Sequence, residues 1–324
     1  MKNNKIQLEG VISLELEGRR LDQALAKLFP QYSRAQLQTW IRAGAVEVDD
    51  QIQTLPREKV FTDQKIKIIA HLKADERWEA QPLSLNIIYE DEALIIINKL
   101  AGMVVHPGAG VRNNTLANAL LHHAPELATV PRSGIIHRLD KDTTGLLVIA
   151  RSLESHHVLI KQMSERAIKR EYEAIVNGVM VAGGTIETDI GRHPTHRTKM
   201  AVVTEGRKSI THYRVKERFR AHTYIRVMLE TGRTHQIRVH MAHIHYPLVG
   251  DPLYGRKGIP AKLSEPLKEA LQNFKRQALH AAKLTLTHPN TGKEMTWEAP
   301  LPKDMAHLLT LLREEPHEPK AELY

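Results

Sequence analysis

Residues 133–150, SGIIHRLDKDTTGLLVIA, contain a polar turn between two apolar runs. Residues 134–136 and 146–150 are short and rich in branched side chains, a composition that predicts buried strands. A polar turn that core strands hold at both ends can fix its side chains over a cleft. Charged hairpin loops without a catalytic role have the same spacing and are common, so the spacing of this stretch alone favours a plain charged loop.

The overall composition indicates a soluble protein. The chain has 324 residues, enough for two domains, and 42% of them are hydrophobic. No apolar run approaches the roughly 20 residues of a membrane span, and acidic residues interrupt the N-terminus where a secretory signal needs an unbroken apolar core. The sequence has no cysteine, which excludes disulfides, thiolate metal sites and a cysteine nucleophile. We expect a cytoplasmic protein without a membrane partner.

The charge balance points to a polyanionic partner. Lys and Arg number 46 against 37 acidic residues, which gives a formal net charge of +9. Such an excess favours nucleic acid first and an anionic membrane surface second, because cationic side chains that neutralise phosphates release condensed counterions. Aromatic residues are only 5% of the chain, so stacking of many bases on rings is not expected.

A small helical and stranded unit is predicted near the N-terminus. Apolar spacing predicts helices over residues 19–29 and from the N-cap Ser33 to Gly44. Alternation predicts strands over residues 45–48 and 65–70. The helix pair carries four basic residues, each of which taken singly is most simply a solvated surface group. They are Arg19, Arg20, Arg34 and Arg42.

The same unit is similar to a known RNA-binding fold. GRRLDQAL, YSRAQLQTWIRAGAVEVD and KIKI resemble the S4-like domain, a small α/β fold in which two helices present basic residues to folded RNA. The resemblance implies that the four arginines contact RNA through its shape and phosphates. The predicted organisation is an N-terminal segment (1–17), the S4-like domain (18–75), a polar linker (76–85), a catalytic domain (86–312) and a charged tail (313–324).

The larger region is predicted to be rich in strands. Periodicity predicts helices over residues 115–123 and 155–166, and strands over residues 169–176, 211–218, 223–230 and 278–287. Residues 191–200, GRHPTHRTKM, read as a basic loop suited to phosphates. Its cationic residues are Arg192, Arg197 and Lys199.

A histidine-rich stretch closes the chemical part of the chain. In residues 231–254, Thr234 is positioned to cap a short helix with Ile237 and Met241 on its apolar side. Four histidines occur there, yet they form no HExxH pair and the chain has no cysteine. No metal site is therefore predicted.

Three ordered motifs give the family resemblance. HRLDKDTTGLLVIA, KREYEAI and TGRTHQIRVHMAHI resemble the motifs of the RluA-type pseudouridine synthases, and the likeness covers essentially the whole chain. It implies an α+β protein whose catalytic domain has a mixed, mainly antiparallel β-sheet core flanked by helices and loops. It also implies that uridine is isomerised: the N1–C1′ bond breaks, the base rotates, and C5 bonds to C1′. Neither a cofactor nor a metal is implied.

The resemblance carries roles to individual residues. Asp140 matches the catalytic aspartate, with attack on ribose C1′ or on uracil C6 left open. Tyr172 matches the tyrosine that stacks on the flipped uracil, and Arg233 matches the basic residue that pairs with the aspartate. Arg138 matches the arginine that fills the gap left by the extruded base, and Ile237 lines the uracil pocket. His137 is included among the RNA contacts.

The resemblance also implies a substrate, and two other functions stay open. The expected partner is 23S ribosomal RNA or a large-subunit precursor particle. The expected target lies in the stem-loop that faces the small subunit, and the protein is expected to be a monomer. A ribosome-assembly factor would use the basic surface without catalysis. A glycoside-cleaving hydrolase could use the same aspartate and tyrosine.

Overall fold

The protein was analysed as a computed structural model that describes residues 5–30, 32, 34–71, 78–108, 111–196, 198–255 and 258–316. The helices are α1 (Leu21–Leu28), α2 (Arg34–Arg42), α3 (Leu116–His123), α4 (Leu153–Ser164), α5 (Gln236–His243), α6 (Glu265–Asn273) and α7 (Lys303–Glu314). The first strands are β1 (Lys5–Val11), β2 (Val46–Val48), β3 (Gln51–Ile52), β4 (Lys65–His71), β5 (Ile87–Glu90), β6 (Leu94–Lys99) and β7 (Thr144–Ala150). The others are β8 (Lys169–Asn177), β9 (Gly184–Arg192), β10 (Met200–Val202), β11 (Arg207–Arg218), β12 (His222–Leu229), β13 (Leu279–Thr287) and β14 (Glu294–Glu298).

The N-terminal unit is a four-stranded sheet, within the described residues, with α1 and α2 packed on it. The strand order is β1-β4-β2-β3, and β1 pairs antiparallel with β4 from Lys5 opposite His71 to Val11 opposite Lys65. The prediction that residues 1–17 form a separate segment is therefore wrong for β1, which belongs to this sheet. Its acidic residue, Glu9, lies on an edge strand, where charge is tolerated and discourages further strand pairing.

Helix α1 begins two residues later than predicted, α2 begins at Arg34 as predicted, and one buried carboxylate ties the two helices together. Asp22 on α1 is fully buried and accepts hydrogen bonds from Arg20, Arg34 and Gln38, with the Gln38 Nε2 to Oδ2 distance at 2.5 Å. Burial raises the pKa of Asp22, but these hydrogen bonds outweigh burial and hold it below its usual range. The predicted N-cap Ser33 lies outside the described residues.

The larger sheet contains ten strands among the described residues, in the order β10-β9-β11-β12-β8-β13-β7-β6-β5, with β14 paired to β13. The β13–β7 pairing is parallel, and the other pairings of this sheet are antiparallel. The prediction of an α+β protein with a mixed, mainly antiparallel sheet is confirmed. The described part of the chain holds no helix that is both long and apolar enough to cross a membrane.

The centre of the large sheet is buried on both faces. Ile95 and Leu147 point into one hydrophobic cluster, while their neighbours Leu94 and Leu146 point into another on the opposite face. Because neither face meets water, β6 and β7 are continuous apolar runs without polar alternation. This double burial gives rigid support to the polar turn that precedes β7.

One predicted strand of the opening stretch is absent. Residues 134–136 were predicted to form a strand, but Pro131–Gly134 is a 3-10 turn in which Arg132 and Ser133 have φ of 54° and 51°. Ile135 makes only an isolated bridge to Ile149. The apolar side chains are buried as expected, yet the left-handed residues before them prevent an extended ladder.

The predicted domain edges also shift. Residues 76 and 77 of the predicted linker lie outside the described residues, whereas Glu79 and Gln81 hydrogen-bond through their backbones to Asn118 on α3. At the other end, α7 runs to Glu314 and the buried Glu315 accepts hydrogen bonds from Ser264. The tail predicted from residue 313 therefore starts in ordered structure, and residues 317–324 lie outside the described part.

Replacing Asp22 by Asn should loosen the N-terminal helices. The change weakens the three hydrogen bonds at a buried acceptor, which costs about 1–3 kcal/mol. Amide hydrogen exchange in α1 should therefore become about tenfold faster or more. The wild-type advantage should be complete above about pH 4 and be lost as pH falls through the lowered native pKa, because the unfolded state binds more protons there.

Asp63→Asn is the matched control for this measurement. Asp63 is exposed and has φ of 64°, a conformation that Asn tolerates. Its exchange pattern should equal the wild type. Equal protection of α1 in the Asp22 and Asp63 variants would contradict the structural role given to Asp22.

Candidate active site

A cavity of about 620 Å³ opens beside the polar turn that precedes β7. The turn, the start of β8 and the segment leading into α5 supply its walls, and its size suits one nucleotide-sized group. Six residues predicted for the site line it together. They are His137, Arg138, Asp140, Tyr172, Arg233 and Ile237.

A buried arginine bridges two carboxylates at this cavity. Arg238 on α5 donates from Nη1 to Oδ2 of Asp140 at 2.9 Å, and from Nε to Oδ2 of Asp251 at 2.7 Å. Its Nη2 also donates to Oδ1 of Asp251. The side chain of Asp251 is fully buried and that of Asp140 is 17% exposed. Burial lowers the pKa of Arg238, but the two carboxylates raise it by more, so it stays charged.

The prediction that Arg233 pairs with Asp140 is therefore wrong. Arg233 is exposed and precedes α5, while Arg238 lies within the helix on its buried side. The predicted cap is also displaced, because α5 begins at Gln236 after His235 with φ of 57°, so Thr234 does not cap it. The side chain of Gln236 holds the turn instead, accepting hydrogen bonds from the Thr231 hydroxyl and the Arg233 amide.

Cationic side chains fix the backbone that follows Asp140. Lys99 is 1% exposed, and its Nζ donates to the carbonyl oxygens of Leu100, Met103 and Lys141 at 2.8, 3.0 and 2.8 Å. Burial lowers the pKa of Lys99 to about 8, although nearby carboxylates oppose the shift. Sequence reasoning gave Lys99 no role, since a lysine after a strand usually points to solvent.

Arg276 also holds the backbone that follows Asp140. It donates from Nη1 to the carbonyl oxygen of Asp142 at 3.2 Å and makes a two-point ion pair with Asp304 on α7. Gln277 donates to the Thr143 hydroxyl at 2.9 Å. The chain after Asp140 is therefore tied to β6, to the approach to β13 and to α7.

Gly145 allows the parallel contact that supports this turn. It has φ of +110°, and a Cβ there would lie 2.2 Å from the carbonyl oxygen of Ala281 on β13. Only glycine fits both the backbone conformation and this close approach. The residue thus sets how far the polar turn stands from β13.

Strand β8 presents an aromatic ring to the cavity. Tyr172 is 5% exposed and occupies a buried position of β8, between the half-buried Glu171 and Glu173. The sequence predicted a strand here. Burial and the Asp140 carboxylate raise the pKa of its hydroxyl, while Arg170 opposes the shift. A neutral phenol ring beside a carboxylate can stack on a planar base and stay protonated.

His137 is held by the fold rather than free at the surface. Its Nε2 accepts a hydrogen bond from the Val148 amide at 3.3 Å. Burial, with help from the Arg170 charge, lowers the pKa of His137 to about 3, so the ring is neutral. Its neighbour Arg138 is exposed on the cavity wall, where a cation can meet a ligand.

A second ring lies on the other side of the carboxylate. His235 Nε2 is 3.8 Å from Oδ1 of Asp140, and its Nδ1 hydrogen-bonds to the Tyr254 hydroxyl at 2.9 Å. Burial lowers the pKa of His235 although Asp140 opposes the shift. The Tyr254 hydroxyl also accepts from the Met200 amide, which anchors the β9–β10 hairpin next to the cavity.

The predicted basic loop forms the tip of that hairpin. Arg192 ends β9 and is exposed, and Lys199 is partly exposed just before β10. Arg197 lies outside the described residues. In the N-terminal unit, Arg20 and Arg34 are paired with Asp22, and their side chains remain 39% and 45% exposed.

The other two arginines of the helix pair also make local contacts. Arg19 donates to the Glu15 carbonyl oxygen and Arg42 to the Gln38 side chain. All four predicted arginines therefore keep surface that a ligand can reach.

The histidines near α5 do not gather. His240 is buried between the Thr188 and Thr211 hydroxyls, and burial lowers its pKa to about 4. Within the described ranges, no group of three or more His, Cys, Asp or Glu side chains could hold a metal ion.

Comparisons with known proteins agree on both parts of the chain. The RNA pseudouridylate synthase family matches residues 93–243, and the S4 domain matches residues 19–63. A "Ribosomal large subunit pseudouridine synthase D" from Pseudomonas aeruginosa is 54% identical over 97% of this chain and 98% of its own length. The protein so described from Escherichia coli is 50% identical over 98% of both chains.

Solved structures share the fold. "Human RNA Pseudouridylate Synthase Domain Containing 4" has a TM-score of 0.55 and 26% identity, covering 70% of this chain and 93% of its own. "Human RNA Pseudouridylate Synthase Domain Containing 1" has a TM-score of 0.53 at 22% identity, covering 74% of this chain and 99% of its own, a likeness of fold alone.

Replacing Asp251 by Asn should strongly destabilise the protein. It leaves the Arg238 guanidinium, with its side chain 5% exposed, short of one buried counter-charge. Breaking a buried pair in this way costs about 3–5 kcal/mol. Urea denaturation at neutral pH should measure that loss.

Glu217→Gln is the control. Glu217 makes a two-point ion pair with Arg313, but the two side chains are 36% and 51% exposed. Such a surface pair contributes about 0–1 kcal/mol. Similar losses of stability in the two variants would refute the view that burial makes the Asp251 pair the stronger constraint.

Proposed function

The chain belongs to the RluA-type family of RNA pseudouridine synthases, and we propose that it converts uridine to pseudouridine in the RNA of the large ribosomal subunit. The P. aeruginosa and E. coli relatives, which match nearly the whole chain, are described as pseudouridine synthases of the ribosomal large subunit. The reaction is an isomerisation: the N1–C1′ bond breaks, C5 bonds to C1′, the C5 proton is lost and N1 gains a proton.

The Asp140–Arg238 ion pair is the observation that carries this proposal. The carboxylate faces a cavity of nucleotide size, and its second oxygen lies toward His235 rather than toward another acid. Arg238 donates a hydrogen bond to Oδ2 of Asp140 and orients the carboxylate, as a nucleophile at the sugar or the base requires. We assign Asp140 the nucleophilic role on this basis.

The neighbouring side chains fit a flipped nucleotide. A base inside an RNA stack cannot exchange N1 for C5, so it must leave the stack at a cost of a few kcal/mol. Tyr172 offers a ring for stacking, and Ile237 adds an apolar wall at 4% exposure. The exposed Arg138 on the cavity wall can occupy the space that the base leaves.

The RNA target is proposed to be the 23S stem-loop that faces the small subunit, in free RNA or in a precursor particle. The S4 domain carries the exposed fractions of Arg19, Arg20, Arg34 and Arg42, which can bind phosphates outside the cavity. The β9–β10 hairpin adds Arg192 and Lys199, and Arg197 of the same basic stretch, which lies outside the described residues, is proposed to contribute as well. Contacts of this kind give affinity, while the cavity selects the base.

Replacing Asp140 by Asn should abolish turnover while leaving RNA binding intact. Asn has almost the same size but cannot act as a nucleophile. An rRNA transcript labelled with tritium at C5 of uridine should lose its label to water with the wild-type protein, and no uracil should appear. The variant should release none above background and bind the transcript with an affinity within a fewfold of the wild type.

Other outcomes identify other functions. Near-normal tritium release by Asp140→Asn would refute the catalytic role of the carboxylate. Free labelled uracil would indicate a hydrolase. If neither protein releases label, yet both rescue a deletion strain equally, the protein acts by binding alone.

Arg238 and Arg233 should differ in what they control. Arg238→Lys keeps a charge but cannot span Asp140 and Asp251, so single-turnover rates should fall about 10²–10³-fold at saturating protein. Arg233→Met removes an exposed cation and should weaken RNA binding a fewfold, with a nearly normal saturating rate. The reverse assignment of rate and affinity would return the pairing role to Arg233.

A further inference from the structure

Arg170 is a buried cation on the cavity wall for which the proposed mechanism gives no task. It lies two residues before Tyr172 on β8, on the same face of the strand, and is 7% exposed. Its side chain lines the cavity beside Gly232. A Cβ at position 232 would lie 2.7 Å from its Nη1, so the loop into α5 passes close over the guanidinium.

The guanidinium has no counter-charge in the described part of the protein. The buried Nε of Arg170 has no hydrogen-bond partner there, and no ion pair joins the group to a described carboxylate. Its charge helps burial to lower the pKa of His137 and opposes the raised pKa of Tyr172, and neither group is an anion that could compensate it. A buried charge without a partner destabilises the folded state, so a ligand is the expected source of compensation.

The positive charge of the cavity wall favours an anionic ligand. Five arginines line the cavity, and Asp140 is the only carboxylate among its described lining residues. That carboxylate is already paired with Arg238. The described residues therefore offer Arg170 no carboxylate, so a ligand is the acceptor we consider, and an anion gains more than a neutral carbonyl from an unpaired buried charge.

We propose that Arg170 binds a phosphodiester group of the RNA, adjacent to the uridine that enters the cavity. The proposal rests on the proposed function, because a flipped nucleotide brings its own flanking phosphates into the site. A planar guanidinium matches phosphate with two parallel hydrogen bonds, which fixes orientation as well as affinity. Arg170 thus positions the nucleotide along β8, where the ring of Tyr172 meets the base.

The first test separates ligand binding from structural support. Arg170→Met removes a charge that has no described partner, so its melting temperature should equal or exceed that of the wild type. Its affinity for an in vitro transcript of the 23S stem-loop should fall about tenfold or more. A melting temperature several degrees lower, with unchanged affinity, would overturn the proposal in favour of a structural role.

The second test identifies the group that Arg170 binds. In filter-binding titrations over a range of KCl concentrations, the plot of log affinity against log salt should lose about 0.7–0.9 in slope in Arg170→Met. Arg170→Lys should keep the wild-type slope with weaker binding, since it retains charge without the two-point geometry. An unchanged slope in Arg170→Met, with slower turnover, would assign Arg170 to a uracil carbonyl and overturn phosphate binding.

A neutral linkage in the RNA gives the sharpest control. One methylphosphonate on either side of the target uridine in a synthetic stem-loop should weaken wild-type binding at one of the two positions. The same change should have little further effect in Arg170→Met, because the partner is already gone. Additive losses at both positions would overturn the proposal.

Arg313→Met is the matched protein control, because Arg313 is an exposed arginine on α7, away from the cavity lining. It should keep the wild-type salt slope and the wild-type response to both linkages. The proposed function is judged separately by tritium release: a wild-type protein that releases label but shows no Arg170 effect overturns only the phosphate contact.

Discussion

The Arg238 guanidinium lies between two carboxylates, and the position of each depends on it. Asp251 is fully buried and also accepts the backbone amides of Leu253 and Tyr254, so it fixes the chain after α5. Asp140 takes the remaining guanidinium nitrogen and keeps partial exposure to the cavity. Because a single charge serves both, Asp140, the proposed nucleophile, and Asp251, which holds the chain after α5, cannot move independently.

The backbone that follows Asp140 is also held in place. The carbonyl oxygens of residues 141 and 142 face the buried Lys99 and Arg276, respectively. Both donors neutralise partial negative charge on the turn without entering the cavity. Asp140 is therefore held in two ways: Arg238 binds its side chain, and Lys99 and Arg276 bind the backbone that follows it. Strands β6 and β7, which are buried on both faces, support this turn.

The sequence was sufficient for elements whose patterns are local, and it failed where the deciding contact is distant. Strands β8, β11 and β12 were predicted within a few residues of their bounds from local sequence. Strand β1 was missed because it is a short edge strand that carries charged residues, Lys5 and Glu9, among its apolar ones. The run at residues 134–136 has the composition of a strand, but the two left-handed residues before it cannot be read from apolar spacing.

The site divides in the same way. Family motifs brought Asp140, Tyr172 and the region of α5 together correctly, yet they did not tell Arg233 from Arg238. The helix residues from Gln236 to Met241 are all buried, so no amphipathic pattern marks which arginine faces inward.

Arg238 and Arg170 are both buried arginines on one cavity wall, but their charges are satisfied differently. Two carboxylates of the protein compensate Arg238, so its charge is part of the folded state. No described group compensates Arg170, so the fold bears its cost until a ligand arrives. In the proposed function the two cations act differently: Arg238 orients the Asp140 carboxylate before the nucleotide binds, and Arg170 gains its counter-charge when the nucleotide binds. Burial strengthens the ion pairs of Arg238 with its two carboxylates. The same burial makes the charge of Arg170 unfavourable until an anion binds it.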